Sequence, residues 1–369
     1  VLRATIALLF SLSIAGSSNS YGGIGFWQVL NAKANPLQLY WQFPHYFLAR
    51  INKLPKNILG LLARHQIPTA QYEYSLHLLK VKQIKAAKLF WRASLPNISN
   101  AQIANLSQQL LATEQWGDLN ILNALGYLKP GFVLNHFNLH HGVIHTQIPK
   151  PFLHSLEFLS LDSNILANKK CQFNVLTMSD HRSGLYKLSA LIKTYNKKPE
   201  PRQGAFCFSK PVYVAGALKC SNSMSKAANC DWQSALINQQ LLRKFDFVVM
   251  MSRYGSANVS RGVMQLNSGA NYGIFLHELM HFNGFEDEYI LPKSKQAWLC
   301  KRRGLVAPNL YIAQKGEKSP NGWHKSKSCQ IGGVAYKPSK DWSILEYQQI
   351  TLSDQYRALW LAHIDKIKR

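Results

Sequence analysis

Residues 246–284, DFVVMMSRYGSANVSRGVMQLNSGANYGIFLHELMHFNG, leave the chain few choices of fold. Phe247 to Met251 is an unbroken apolar run of strand length, which is stable only where both faces of a sheet are covered. Ser252 to Ser256 is a turn by composition. VSRGVMQL, 259–266, alternates and reads as an edge strand. The rest carries apolar residues at helical spacing and closes on Gly284, so it reads as a helix over 267–284. A buried strand, an edge strand and a largely apolar helix in succession call for a sheet covered by helices. FNVLTM (173–178) and PVYVAG (211–216) supply further strands. SGLYKLSALIKTY (183–195) and DWQSALINQQLLRKF (231–245) supply further helices, the second with Asp231 placed as its N-cap. Strands alternating with helices predict an α/β (α+β) sandwich over residues 166–369.

The chain of 369 residues is too long for one ordinary core. Residues 21–165 read as a mainly α-helical N-terminal domain, with the boundary near LDSNILANKK. Within it Leu79, Ile84, Ala87 and Leu89 recur in character as Leu111, Trp116, Leu119 and Ile121, an offset of 32. That spacing is close to a tetratricopeptide-type helical hairpin, although two units fall short of a sustained array and an ordinary helical domain accounts for them too. HFNLHHGVIH gathers His136, His140, His141 and His145 with no acid or thiolate nearby, the pattern of incidental histidines on a loop or half-buried strand.

VLRATIALLFSLSIAGSSNS, residues 1–20, has the plan of a secretory signal: Arg3, an apolar run, then small residues. Six cysteines agree with export, because an even count in an oxidising compartment implies disulfides. Fifteen connectivities are open to six cysteines and the sequence alone does not choose among them; pairing neighbours, Cys171–Cys207, Cys220–Cys230 and Cys300–Cys329, closes the shortest loops and is preferred. No later segment has transmembrane length. The chain is therefore expected in the periplasm or outside the cell. Its net charge of +25 is scattered, with no nucleic-acid motif, and points to general attraction by anionic envelope surfaces.

Against that basic background HELMHFNGFEDEY, 277–289, concentrates four of the eighteen acids: Glu278, Glu286, Asp287 and Glu288. Residues four apart on a helix share a face, so His277 and His281 can bind one metal ion, with Glu278 beside them. A divalent ion acidifies water and a neighbouring carboxylate takes the proton. Gly284 can end the helix and reverse the chain, bringing Asp287 back as a third ligand. The spacing His277-Glu278-x-x-His281-x-x-Gly284-x-x-Asp287 is the metzincin layout with Asp in place of the third His. HExxH arises by chance in roughly 1% of chains of this composition, and the glycine and acid lower that by about two orders of magnitude.

HELMHFNGFEDEY resembles the HExGHxxxxLxDEY signature of the IgA-peptidase-like zinc metallopeptidases. Residues 245–281 are similar to that family's strand, Tyr-Gly-Gly-Ser turn, edge strand and active-site helix. CQFNVLTMSDHRSG is similar to its opening strand, and AYKPSKDWSILEYQQI to its closing segment. The resemblance covers about residues 170–360. It implies a metzincin-like catalytic domain, one Zn2+ held by His277, His281 and Asp287, Glu278 as general base, and a protein or peptide substrate. Glu288 and Tyr289 match the Asp-Glu-Tyr ending, Glu288 as a support for a ligand. Leu279-Met280 replaces the family's residue-plus-glycine, and one glycine is missing at Arg253-Tyr254-Gly255-Ser256. No Met follows Met280, and Ile344-Leu345 takes the place of a methionine turn beneath the metal. Tyr289, Tyr336, Tyr347 and His324 are the candidates to stabilise an oxyanion; Glu317 and Glu346 are the downstream acids a different zinc layout would need. Two other readings fit the same residues: a non-catalytic zinc-fold scaffold of the envelope, and a zinc amidase on an envelope polymer. An intact Glu278 favours an enzyme.

Overall fold

The structure is a computed structural model and describes residues 35–220, 227–232, 239–314 and 316–367. The signal-like residues 1–20 lie outside the described residues. The chain divides into two compact units, Val1–Leu134 and Asn135–Arg369.

The described part of the first unit is helical. Helices α1 (Pro68–Lys80) and α2 (Ile84–Ser94) form one hairpin, and α3 (Asn100–Ala112) and α4 (Trp116–Ala124) form another. Both pairs start 32 residues apart, at 68 and 100 and at 84 and 116. The connections repeat as well. Lys82 and Glu114 both have positive φ, 61° and 55°, and Gln83 N donates to Leu78 O as Gln115 N donates to Leu110 O. Ala87 and Leu119, equivalent across the repeat, are fully buried, so the offset seen in the apolar pattern is a repeat of backbone and core position.

The second unit is a mixed α/β fold. Its main sheet comprises β1 (Leu159–Ser160), β2 (Phe173–Ser179), β3 (Phe206–Phe208), β4 (Val212–Tyr213), β7 (Phe247–Ser252), β8 (Asn258–Ser260) and β9 (Val263–Asn267). The order is β1-β4-β2-β7-β9-β8, with β3 also on β2. Every pair is parallel except β8–β9. The apolar β7 is flanked by β2 and β9, as its composition demands. On one face lie α5 (Arg182–Lys197), α7 (Tyr272–Phe282) and α9 (Asp354–Ile367), closing a core that includes Leu188, Phe275, Leu279 and Trp360. The other face buries Leu176, Met178, Val248 and Met250.

Several expectations shift. VSRGVMQL is two strands rather than one: Arg261 and Gly262 both have positive φ, 51° and 77°, the requirement of a two-residue hairpin turn, and β8 is the antiparallel edge. PVYVAG contributes only Val212–Tyr213. Asp231 caps no helix. It pairs with Lys219 in the hairpin of β5 (Leu218–Cys220) and β6 (Cys230–Trp232), whose Cys220 and Cys230 are directly opposed; the helix there, α6, is described only over Gln239–Leu242. Residues 135–165 belong with the sheet, ahead of the composition change at 160–170, because Leu139, Phe152 and Leu153 pack with Leu185 and Tyr213. Residues 132–141, within HFNLHHGVIH's approach, form a helix instead of a loop or strand.

Between Asp287 and Ser343 the chain builds a second, antiparallel sheet, β10 (Gly304–Ala307), β11 (Leu310–Ala313), β12 (His324–Lys325) and β13 (Val334–Lys337), in the order β10-β11-β13-β12, with helix α8 (Lys293–Leu299). The three disulfides are Cys171–Cys207, Cys220–Cys230 and Cys300–Cys329. Among the described residues no helix is long and apolar enough to cross a membrane. Both facts fit an exported protein.

Candidate metal centre

Helix α7 starts where the Asn271 side chain accepts a hydrogen bond from Ile274 N at 2.9 Å. Phe275, Leu276, Leu279 and Met280 anchor it in the core, and the same helix carries His277 and Glu278, 1% and 3% exposed. It ends in a Schellman turn: Gly284 N donates to His281 O and Phe285 N to Met280 O. Gly284 has φ +78°, and a Cβ there would meet nothing within 4 Å. The backbone conformation, not space, therefore demands glycine.

That turn aims the chain back at its own histidines. His281 Nδ1 lies 2.7 Å from Phe285 O, and His277 Nδ1 lies 2.9 Å from Ile344 O. A carbonyl only accepts, so both Nδ1 atoms carry protons, and in the neutral imidazoles both Nε2 atoms present lone pairs. The two Nε2 atoms are 3.0 Å apart. Asp287 Oδ1 stands 3.1 Å from each. Two lone pairs and a carboxylate oxygen converging in a buried space repel one another unless a positive centre sits among them. Donors about 2.0–2.2 Å from a tetrahedral ion lie roughly 3.3–3.5 Å apart, so the three atoms fit such an ion to within a few tenths of an ångström. His277, Glu278 and His281 offer donor atoms within 4.8 Å of one another, the set able to hold a metal ion among the described residues. The His136 cluster assembles no such group there.

The same three donors bind a proton when no metal competes. Burial pulls against it, yet hydrogen bonding and charge from Asp287 raise His281 to about 9. Burial likewise opposes ionisation of Asp287, but His277 and His281 hold it far below the carboxylate range. Burial raises Glu278, opposed by the two histidines. A metal entering the site displaces the proton.

No family model and no curated protein sequence matches the chain.

The remaining acids are accounted for by other contacts. Glu286 pairs with Lys295 at 2.5 Å, Glu317 with Arg303, and Glu346 with Lys327 and Lys337. Glu288 is fully buried and touches neither histidine. Its carboxylate accepts from Asn309 Nδ2 at 2.8 Å, Ser343 Oγ at 2.6 Å and the Tyr356 hydroxyl at 2.6 Å. Ser343 precedes Ile344, whose carbonyl orients His277. Asn309 also holds both backbone groups of Glu286, at 2.9 and 2.7 Å. One carboxylate and one amide thus fix the Asp287 loop and the His277 acceptor together. Ile344 and Leu345, 2% and 0% exposed, pack with Leu276 and Met280 where a methionine turn was absent from the sequence. Burial, followed by the charge of Asp287, pushes the Tyr289 pKa up. Tyr336 and His324 pair into the second sheet, and Tyr347 carries Lys327 over its ring. Asn309, Ser343 and Tyr356 were not singled out from sequence; only Ser343 lay in a segment noted there, SILEY.

Proposed function

We propose that the second unit is a zinc-dependent metallopeptidase of metzincin-like design, akin to the IgA-peptidase-like family, acting outside the cytoplasm on protein or peptide substrates. The observation that carries this reading is the convergence of His277 Nε2, His281 Nε2 and Asp287 Oδ1 within 3.0–3.1 Å of one another, with both imidazole tautomers set by backbone carbonyls. Two imidazoles and one carboxylate suit Zn2+ and leave one of its four positions open. When bound, zinc polarises a carbonyl and acidifies water.

Glu278 follows His277 on the helix and is largely buried. As general base it takes a proton on its carboxylate from the attacking water, then delivers it to the leaving amine. Ile344 O and Phe285 O hold the imidazoles in the one tautomer that leaves Nε2 free. Tyr289, 38% exposed beside Asp287, is placed to turn its hydroxyl toward a substrate oxygen.

The test is zinc content with hydrolysis of denatured casein, wild type against Glu278→Ala. The variant is expected to keep its zinc and lose about 10²–10⁴-fold in rate. Zinc bound with no protein cleaved by the wild type would refute the peptidase reading, in favour of an amidase or a scaffold.

A further inference from the structure

The segment between Tyr289 and Ser343 holds eleven Lys and Arg against two acids, a net +9 of the chain's +25. More than a third of the charge lies in about a seventh of the length. At physiological salt, fields decay over about 8 Å, so a charge acts mainly on what lies close to its own segment.

This basic segment is fastened to the metal centre. Asn309 bonds Glu286 and Glu288, and Ser326 and Ser328 donate to the backbone oxygens of Glu288 and Asp287. The Cys300–Cys329 disulfide ties its far side. Some of its cations are spent on Glu286, Glu317 and Glu346. Lys293, Lys301, Lys318, Lys325 and Lys340 are exposed, and none makes an ion pair among the described residues. The same segment carries exposed aromatic surface. Trp342, 64% exposed, packs on Tyr347 with ring centroids 4.8 Å apart, and Arg302 covers Trp298 at 4.9 Å. The short strand β12 pairs on one side only, with β13, so its open edge offers backbone groups to an extended chain.

We infer that this segment docks an acidic stretch of a protein substrate and steers it to the metal centre. The inference rests on the peptidase reading above. Charge complementarity selects the acids, the aromatic faces take apolar side chains between them, and the open edge favours a polypeptide over a carbohydrate polyanion.

Binding of a labelled oligo-glutamate peptide to the Glu278→Ala protein is measured by fluorescence anisotropy, independently of turnover. Charge reversal at Lys318, Lys325 and Lys340 to Glu is expected to weaken binding about tenfold, and the same net change at Lys53, Lys56 and Lys85 less than about twofold. Equal losses in the two triple variants would overturn the proposal, as would tighter binding of polygalacturonate than of oligo-glutamate. In a second arm, an acidic tag is appended to a casein peptide that the wild type cleaves. The tag should lower KM and leave kcat unchanged. If no peptide is cleaved, the peptidase reading fails; if the untagged peptide is cleaved and the tag leaves KM unchanged, the docking surface fails.

Discussion

Asp287→Ala and Glu286→Ala remove neighbouring carboxylates whose surroundings differ sharply. Asp287 Oδ1 is 3.1 Å from both Nε2 atoms. Glu286 is paired instead with Lys295 at 2.5 Å. Structural zinc sites of four ligands bind with about 10–16 kcal/mol, so one ligand is worth roughly 3–4 kcal/mol. Asp287→Ala should therefore weaken zinc binding by about 10²–10³-fold. Glu286→Ala breaks a partly exposed ion pair, worth about 0.2–1 kcal/mol of stability, and leaves its backbone on Asn309, so zinc affinity should hold within about twofold. Competition with a calibrated chelator gives both constants, and metal content after dialysis checks them. Equal losses would mean the wrong acid has been assigned, and the convergence of the three donors would lose its meaning. Retention of full affinity by Asp287→Ala would refute it outright.

Gly284→Ala should cost about 1–2 kcal/mol in urea unfolding, the price of a left-handed conformation for a residue with Cβ, because no atom blocks the methyl itself; no change would mean the turn is not needed. Asn309→Ala removes donors from the buried Glu288 and partners from the Glu286 backbone, so it should cost about 1–3 kcal/mol and lower zinc affinity without touching the ion; unchanged affinity would show that the loop holds its shape alone. His136 is lowered from 6.5 to about 4 by burial, then by Arg182. The unfolded chain therefore binds this proton more readily, so stability is complete above about pH 6.5 and is lost as pH falls toward 4, by about 1.4 kcal/mol per pH unit. Urea midpoints of wild type and His136→Asn should diverge in that window, and parallel curves would refute the assignment.

The HELMH helix and its return loop were legible because each step is local: the histidines are four apart, the glycine three on, the acid three beyond. The sequence left fifteen disulfide connectivities open, and the structure has the set that closes the shortest loops. The hairpin at Arg261-Gly262 was hidden because its first turn residue is not one that favours positive φ, so the alternation ran straight through. The stretch after Cys230 reads as helix from its spacing, whereas the Cys220–Cys230 bond and cross-strand pairing govern its start. Asn309, Ser343 and Tyr356 lie 21, 55 and 68 residues from Glu288; no local pattern marks such partners. The boundary near 165 followed composition, while the packing of Leu139 and Leu153 on Tyr213 is a tertiary fact.

Because one partner of the Glu288 carboxylate is the Tyr356 hydroxyl, 68 residues further along the chain, the bracing behind the Asp287 loop is complete only once α9 has been made. A nascent chain that has already exposed its HELMH helix still lacks Tyr356, and with it the last brace on the loop bearing Asp287. A product cut short before α9 would carry both histidines without that brace on the return loop.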